Sequence, residues 1–225
     1  MRLLAAADIH GMRDVYHWLQ EQARRQQPEV VILAGDLSAS SWDEAEQRQE
    51  ARALIDLFKK FPVTTLYLMG NDDFFALDYE DKQVKPLHGR RLEFGGHRFV
   101  GYQYTTPFVG SLHEKPEEDI EKDLERVEPL LDGKTVLVTH GPAFGVLDRV
   151  YAGEHVGSHS LAALLARRPV LAHIHGHIHQ CFGREGNHFN VAAAGHCRAM
   201  LIDLPGLAHQ VLLDERSGTS SAEWG

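Results

Sequence analysis

The sequence predicts an α/β fold with a mixed, two-sheet core. Apolar runs alternate with amphipathic stretches through most of the chain, the pattern of layered strands and helices. Beyond residue 170 short β-like runs accumulate, more than a simple parallel sheet would use. Five of the strand-like runs also end in carboxylate, amide or imidazole side chains.

The elements follow in order. Leu3–Ala7 is a short apolar run and a first strand. Val15, Trp18, Leu19 and Ala23 then recur at helical spacing. Val30–Ala34, rich in β-branched residues, reads as a buried strand. Ser41-Trp42-Asp43-Glu44 has capping-box spacing and opens a helix to about Lys60. Val63–Met69 is the next strand. Arg91–Phe94 and His97–Tyr102, joined by Gly95-Gly96, read as a hairpin. Pro116 suits the first turn of an acidic helix ending near Leu131. Thr135–Thr139 is a strand, Ser160 caps a short helix that stops before Pro169, and Val170–Ile174 is a strand. Phe189–Val191, Ala199–Asp203 and Gln210–Leu213 complete the set. We expect one domain over residues 1–215 and a polar tail over 216–225.

Composition narrows the function. A chain of 225 residues supports one large core. Its net charge of −9 offers no basic footprint for long nucleic acid or an anionic membrane. No apolar run is long enough to span a bilayer, and Asp8 interrupts the N-terminal run too early for a signal peptide. Cys181 and Cys197 lack metal-site spacing and read as reduced thiols. The expected compartment is the cytoplasm.

The strand ends carry the chemistry. The runs lead into Asp8-Ile9-His10, Gly35-Asp36, Gly70-Asn71-Asp72, His140-Gly141 and Gly176-His177-Ile178-His179. Carboxyl ends of neighbouring strands gather on one sheet edge, where ligands bind. The densest stretch, residues 173–180, reads HIHGHIHQ. Carboxylates, an amide and imidazoles without a thiolate suit manganese, iron or zinc as divalent ions. Asp8, His10, Asp36, Asn71, His140, His177 and His179 exceed the needs of one tetrahedral ion and suffice for two if a carboxylate bridges. Metals in such sites lie about 3.5–4 Å apart.

These five blocks resemble those of the calcineurin-like metallophosphoesterases, over about residues 1–205. Thr139–Asp148, THGPAFGVLD, is similar to the corresponding block of the family's smaller phosphodiesterase-like branch. The resemblance implies a four-layer α/β/β/α fold, a sandwich of two mixed sheets flanked by helices. It also implies two divalent metals, manganese first. Asp8, His10 and His179 would hold one, Asn71, His140 and His177 the other, with Asp36 bridging. A metal-bridging hydroxide would attack phosphorus in line. Asp36, Asn71 and Asp72 are then the catalytic candidates, and Asn71 with Arg13 the substrate contacts.

Two positions depart from the family pattern. Ala39 stands where a second aspartate is common, and Asp72 where a histidine commonly follows the asparagine. That histidine helps protonate the leaving group or holds the phosphate, so its replacement bears on esters with poor leaving groups. Asp72 is either the acid or, as a carboxylate, the orienting partner of a ligand imidazole. His113 and His159 are alternative acids, and His196 a substrate-side candidate. His173 and His175 read as strand histidines, and the acidic run Glu114–Glu128 as a solvated face. Phe74, Phe75 and Tyr79 either wall the cleft or fill a satellite core.

The expected partner is a small phosphate ester, diester before monoester. One alternative is a catalytically weak metal- or nucleotide-binding protein on the same fold. Another is a metallo-β-lactamase-type hydrolase, whose dense histidine motif would stand early in the chain.

Overall fold

The structure, a computed structural model, describes residues 1–214. The polar tail expected over 216–225 lies outside them. The strands are β1 (Arg2–Ala6), β2 (Val30–Ala34), β3 (Thr64–Leu68), β4 (Val84–Pro86), β5 (Arg91–Phe94), β6 (His97–Tyr102), β7 (Thr135–Thr139), β8 (Ala172–His175), β9 (Gly183–Glu185), β10 (His188–Asn190), β11 (Arg198–Asp203) and β12 (Ala208–Leu213). The helices are α1 (Arg13–Gln26), α2 (Glu44–Phe58), α3 (Glu117–Val127) and α4 (His159–Arg167). One sheet runs β12-β11-β1-β2-β3-β4 and the other β5-β6-β7-β8-β10-β9. Both are mixed. In the first, β1 to β4 are parallel, β11 pairs antiparallel with β1, and β12 antiparallel with β11; in the second, β6, β7, β8 and β10 are parallel with antiparallel β5 and β9 at the edges.

The alternation of side chains along each strand builds four layers. Leu3, Ala5, Val30, Ile32, Leu66 and Leu68 point between the sheets and meet Phe99, Val136, Val138 and Ile174. Their neighbours Leu4, Ala6, Val31 and Leu33 point outward and pack on Val15, Tyr16 and Leu19 of α1 and Leu54, Leu57 and Phe58 of α2. Val100 and Leu137 point outward from the second sheet onto Ile120 and Leu124 of α3 and Leu161 and Leu164 of α4. Strand β2 is buried along its whole length because both of its faces are covered.

Several local expectations shift. Helix α2 is capped by Asp43, whose carboxylate accepts the Ala45 and Glu46 N–H groups at 2.8 and 2.9 Å. Ser41 lies outside the helix and accepts the Asp43 N–H instead. Ser158, not Ser160, caps α4 through the Leu161 N–H at 3.0 Å, while the Ser160 N–H is taken by Glu117. Pro116 sits at the N-cap of α3, one residue before the helix. Strands β4 and β9 went unforeseen because Val84-Lys85-Pro86 and Gly183-Arg184-Glu185 are short and contain no apolar run.

Candidate metal centre

Strands β1, β2 and β3 are neighbours in one sheet, β7 and β8 in the other, and their C-terminal loops are stitched together. The Asp8 N–H donates to Gly35 O at 2.8 Å, and His10 N–H to Asp36 O at 2.9 Å. Gly176 N–H donates to His140 O at 3.0 Å, and both oxygens of Asp8 accept the His177 N–H at 2.9 and 3.1 Å. Asp8, His10, Asp36 and His177 all have positive φ, between 50° and 70°. Such backbone costs a non-glycine residue on the order of 1–3 kcal/mol and persists where surroundings enforce it. Here it turns each side chain out of its strand direction into the space between the loops. Two glycines leave room for that. A Cβ on Gly70 would lie 2.2 Å from Asp36 Oδ1, and one on Gly176 2.2 Å from Asp8 Oδ2.

Two ligand clusters result. Asp8, His10 and His179 form one, Asp36, His140 and His177 the other, each with ligand atoms within 4.8 Å of one another. In the first, His10 Nε2 lies 3.4 Å from His179 Nε2, which is 3.2 Å from Asp8 Oδ1. In the second, His140 Nε2 lies 3.2 Å from Asp36 Oδ1 and 3.0 Å from Asn71 Oδ1.

Proton assignments test whether these residues fit cations. His140 Nδ1 is 2.9 Å from Ala34 O, which can only accept, so Nδ1 carries the proton of the neutral ring. Nε2 then turns a lone pair toward two further acceptor oxygens. His10 Nδ1 is held by Asp72 Oδ2 at 2.9 Å, which leaves Nε2 bare toward His179 and Asp8. Acceptors facing acceptors are satisfied by a proton or a cation, and O/N donors of this kind suit a divalent metal. The residues therefore fit the two ions.

Titration reflects the same crowding. Burial opposes charge on His140, but Asp36 outweighs it and pushes the imidazole up to about 10. Burial alone would raise the Asp36 carboxyl; His140 instead holds it well below the usual range. Burial works against a charged His10 as well, and the hydrogen bond to Asp72 with nearby Asp36 and Asp8 raises it overall. Burial pushes His177 down to about 4.

The structure places the remaining candidates as follows. Asp72 contacts a ligand imidazole, His10, and its N–H donates to Asp36 Oδ1 at 2.7 Å. Arg13, expected at the substrate, instead pairs with Glu50 beside Ala39 and Ser41, because its position on α1 turns it outward from the cleft. His113 is buried, with Nδ1 2.8 Å from Asp73 O, and His159 stacks on Phe144. Neither lines the cleft over the metal ligands. His196 does not line it either, although Gly195 N–H reaches Asp8 O at 3.1 Å. His173 and His175 are fully buried side by side on β8. Phe75 and Tyr79 pack on the helix-covered core, and Phe74 packs against Trp42 with the rings tilted by 35°.

Two residues have roles that the sequence did not disclose. Asp73 is fully buried and accepts the N–H groups of Leu37, Ser38 and Gly70 and the Ser38 hydroxyl, at 2.6 to 2.9 Å. It locks the loop carrying Asp36 to the loop carrying Asn71. Burial, then the charge of Asp36, raise its carboxyl to about 6. Its only sequence signal was a second aspartate after the asparagine. Glu114, assigned to a solvated acidic face, instead accepts the N–H groups of Phe108, Val109 and Gly110, each at 2.8 Å.

The ligands open onto a cleft of about 660 Å³. His10, Asp36, Asn71, His177 and His179 form its floor; Phe108 and Val109 from the β6–α3 loop, and Val150 and Tyr151 from the β7–α4 loop, form its walls.

A family model for calcineurin-like phosphoesterase matches residues 1–181. Comparison with curated proteins gives no match. One solved structure superimposes with a TM-score of 0.74 at 16% identity, over 94% of this chain and 98% of the other. A protein of Thermus thermophilus gives 0.65 at 14% identity over 94% and 98%. A dimetal phosphatase from Danio rerio gives 0.60 at 16% identity over 89% and 91%. At these identities the solved structures speak for the fold alone. The family match is the stronger finding, since it spans most of the chain and takes in both ligand clusters. This chain belongs to the calcineurin-like phosphoesterase family.

Proposed function

We propose that this chain hydrolyses a phosphodiester of modest size, using two divalent cations, manganese foremost. The supporting observation is the pair of clusters, in which imidazole Nε2 atoms lie 3.0 to 3.2 Å from carboxylate and amide oxygens. Asp8, His10 and His179 would hold one ion, and Asn71, His140 and His177 the other, with Asp36 between them. Bound there, such ions neutralise phosphate oxygens and acidify water.

The chain's own groups do the rest. Asp72 fixes the His10 tautomer, Ala34 O fixes that of His140, and Asp73 holds two loops in register. Asn71 and Asp36 face the cleft, where they would orient the ester. The lining of the cleft favours a diester. Among the described residues no Lys or Arg lines the cleft to meet a dianion or a polyphosphate. The arrangement does not support Asp72 as the acid, because its carboxylate is committed to His10.

One feature favours the second reading, a weakly catalytic metal-binding protein: among the described residues the cleft is lined by no imidazole other than ligand candidates. No described helix is long and apolar enough to cross a membrane. The free thiols Cys181 and Cys197 support placing the chain in the reducing cytoplasm.

The test is a screen of the metal-loaded chain against mono- and diesters. Diester turnover with manganese that falls to the level of free metal in Asp36→Asn bears the proposal out. Metal uptake without turnover of any ester selects the second reading.

A further inference from the structure

Resting on the phosphoesterase reading, we infer that the cleft selects phosphodiesters carrying an uncharged aromatic substituent, received by Phe108 and Tyr151. Both side chains line the cleft, yet they are 73% and 91% exposed. Val109, 45% exposed, stands beside Phe108. A lone exposed apolar residue needs no explanation, but an apolar wall beside a reactive centre does.

The wall is held in place. Exposed aromatic residues at a loop tip would ordinarily collapse into the nearest hollow. Glu114 prevents this by gathering three successive N–H groups of the Phe108 loop on one carboxylate. The base of that loop is closed by Thr105 N–H to His113 O at 3.1 Å and Lys115 N–H to Thr105 O at 2.9 Å. In the opposite loop the buried Asp148 accepts Gly145 N–H at 2.9 Å and Gly157 N–H at 3.0 Å, and it pairs with His155. Two carboxylates thus preset the two walls before any substrate arrives, which lowers the ordering cost of binding.

Position supplies the next step. The Phe108 ring stands edge-on to His177, with centroids 5.5 Å apart and planes at 84°. A phosphate seated over the ligand cluster that includes His177 would therefore carry its substituent against Phe108. The cleft volume of about 660 Å³ accommodates a small organic ester.

Polar chemistry then narrows the substituent. Gln180 and Thr106 line the cleft, but the Gln180 amide donates to Arg149 O at 3.0 Å and the Thr106 hydroxyl to Val156 O at 3.5 Å. One Gln180 N–H and the Thr106 hydroxyl are thus engaged inside the protein, which leaves the rest of the Gln180 amide as the main side-chain group on this wall able to read the edge of a nucleobase. Arg198, behind the site, is likewise committed to Ala192 O and His179 O. An aryl group, which asks for area and not for hydrogen bonds, fits this wall best.

The experiment compares two esters with the same leaving group, phenyl p-nitrophenyl phosphate and methyl p-nitrophenyl phosphate, on the manganese-loaded chain. We expect kcat/KM for the phenyl ester to exceed that for the methyl ester by about tenfold, the worth of about 1.4 kcal/mol. Phe108→Ala and Tyr151→Ala, both at exposed positions, remove most of that ratio by raising KM for the phenyl ester more than for the methyl ester. Glu114→Gln lowers the ratio in the same direction. Equal rates for the two esters in the unsubstituted chain, or equal losses on both in the variants, overturn the inference. Calorimetry with non-hydrolysed anions separates this outcome from failure of the phosphoesterase reading. If neither ester turns over, tighter binding of diphenyl than of dimethyl phosphate, abolished by Phe108→Ala, still supports the aromatic subsite. Equal binding of the two anions overturns it.

Discussion

The Nδ1 atom of His10 lies 2.9 Å from a carboxylate oxygen of Asp72, and the opposite ring nitrogen faces His179 and Asp8. A carboxylate that grips one side of an imidazole fixes its tautomer and sharpens the other side as a ligand.

Removing the grip should weaken one metal and spare the other. Asp72→Ala is expected to lower affinity for the ion at Asp8, His10 and His179 by about 10–100-fold, the usual cost of such a loss. The ion at His140 keeps its own orienting bond from Nδ1 to Ala34 O. Metal titration resolving one weakened and one unchanged site checks this; equal weakening of both refutes it.

Metal loading should release protons and sharpen with rising pH. Without metal, His140 is raised to about 10 by Asp36, so it is protonated at neutral pH and must lose that proton to bind an ion. Calorimetry in buffers of different ionisation enthalpy should show proton release at pH 7. The same shift governs the metal-free fold. A raised imidazole stabilises the folded state fully below its ordinary value of 6.5 and loses that contribution as pH climbs through about 10. His177, held down at about 4, and Asp73, raised to about 6, change their contributions below this window. Thermal stability of the metal-free chain should therefore decline between about pH 6.5 and 10. A flat profile there contradicts the assignment.

Leaving-group chemistry should be exposed in the kinetics. The cleft's imidazoles, His10, His177 and His179, are all ligand candidates, and Asp72 is occupied by His10. With no imidazole or carboxyl of the described cleft free to donate a proton, rates across a series of aryl diesters should fall steeply as the pKa of the leaving phenol rises. A shallow dependence would reveal another proton donor, the Tyr151 hydroxyl in the cleft wall or a group outside it.

Asp73 should matter to stability more than its surface neighbours. Asp73→Ala strips buried N–H groups of Leu37, Ser38 and Gly70 of their acceptor. Each buried unpaired group costs about 1–3 kcal/mol. Chemical denaturation should register a loss of about 3 kcal/mol or more, with weaker metal binding because the Asp36 and Asn71 loops separate. A loss below about 1 kcal/mol would show that water takes over these bonds.

The amino-acid order alone pointed to the candidate ligands and to the layering. Val30–Ala34 and Thr135–Thr139 were readable as strands from composition and flanking turns, and each of the residues foreseen as a metal ligand stands directly behind such a run. A motif of this kind is local, because a strand and the turn after it are neighbours in the chain. What only the folded molecule decided is how distant loops brace one another. Ser38 and Gly70 share one aspartate, Glu114 folds back on Phe108, and Arg13 is drawn away to Glu50. These pairings depend on where a side chain ends after its element has packed. Periodicity carries no record of that, whereas a carboxylate surrounded by N–H groups in three dimensions shows it directly.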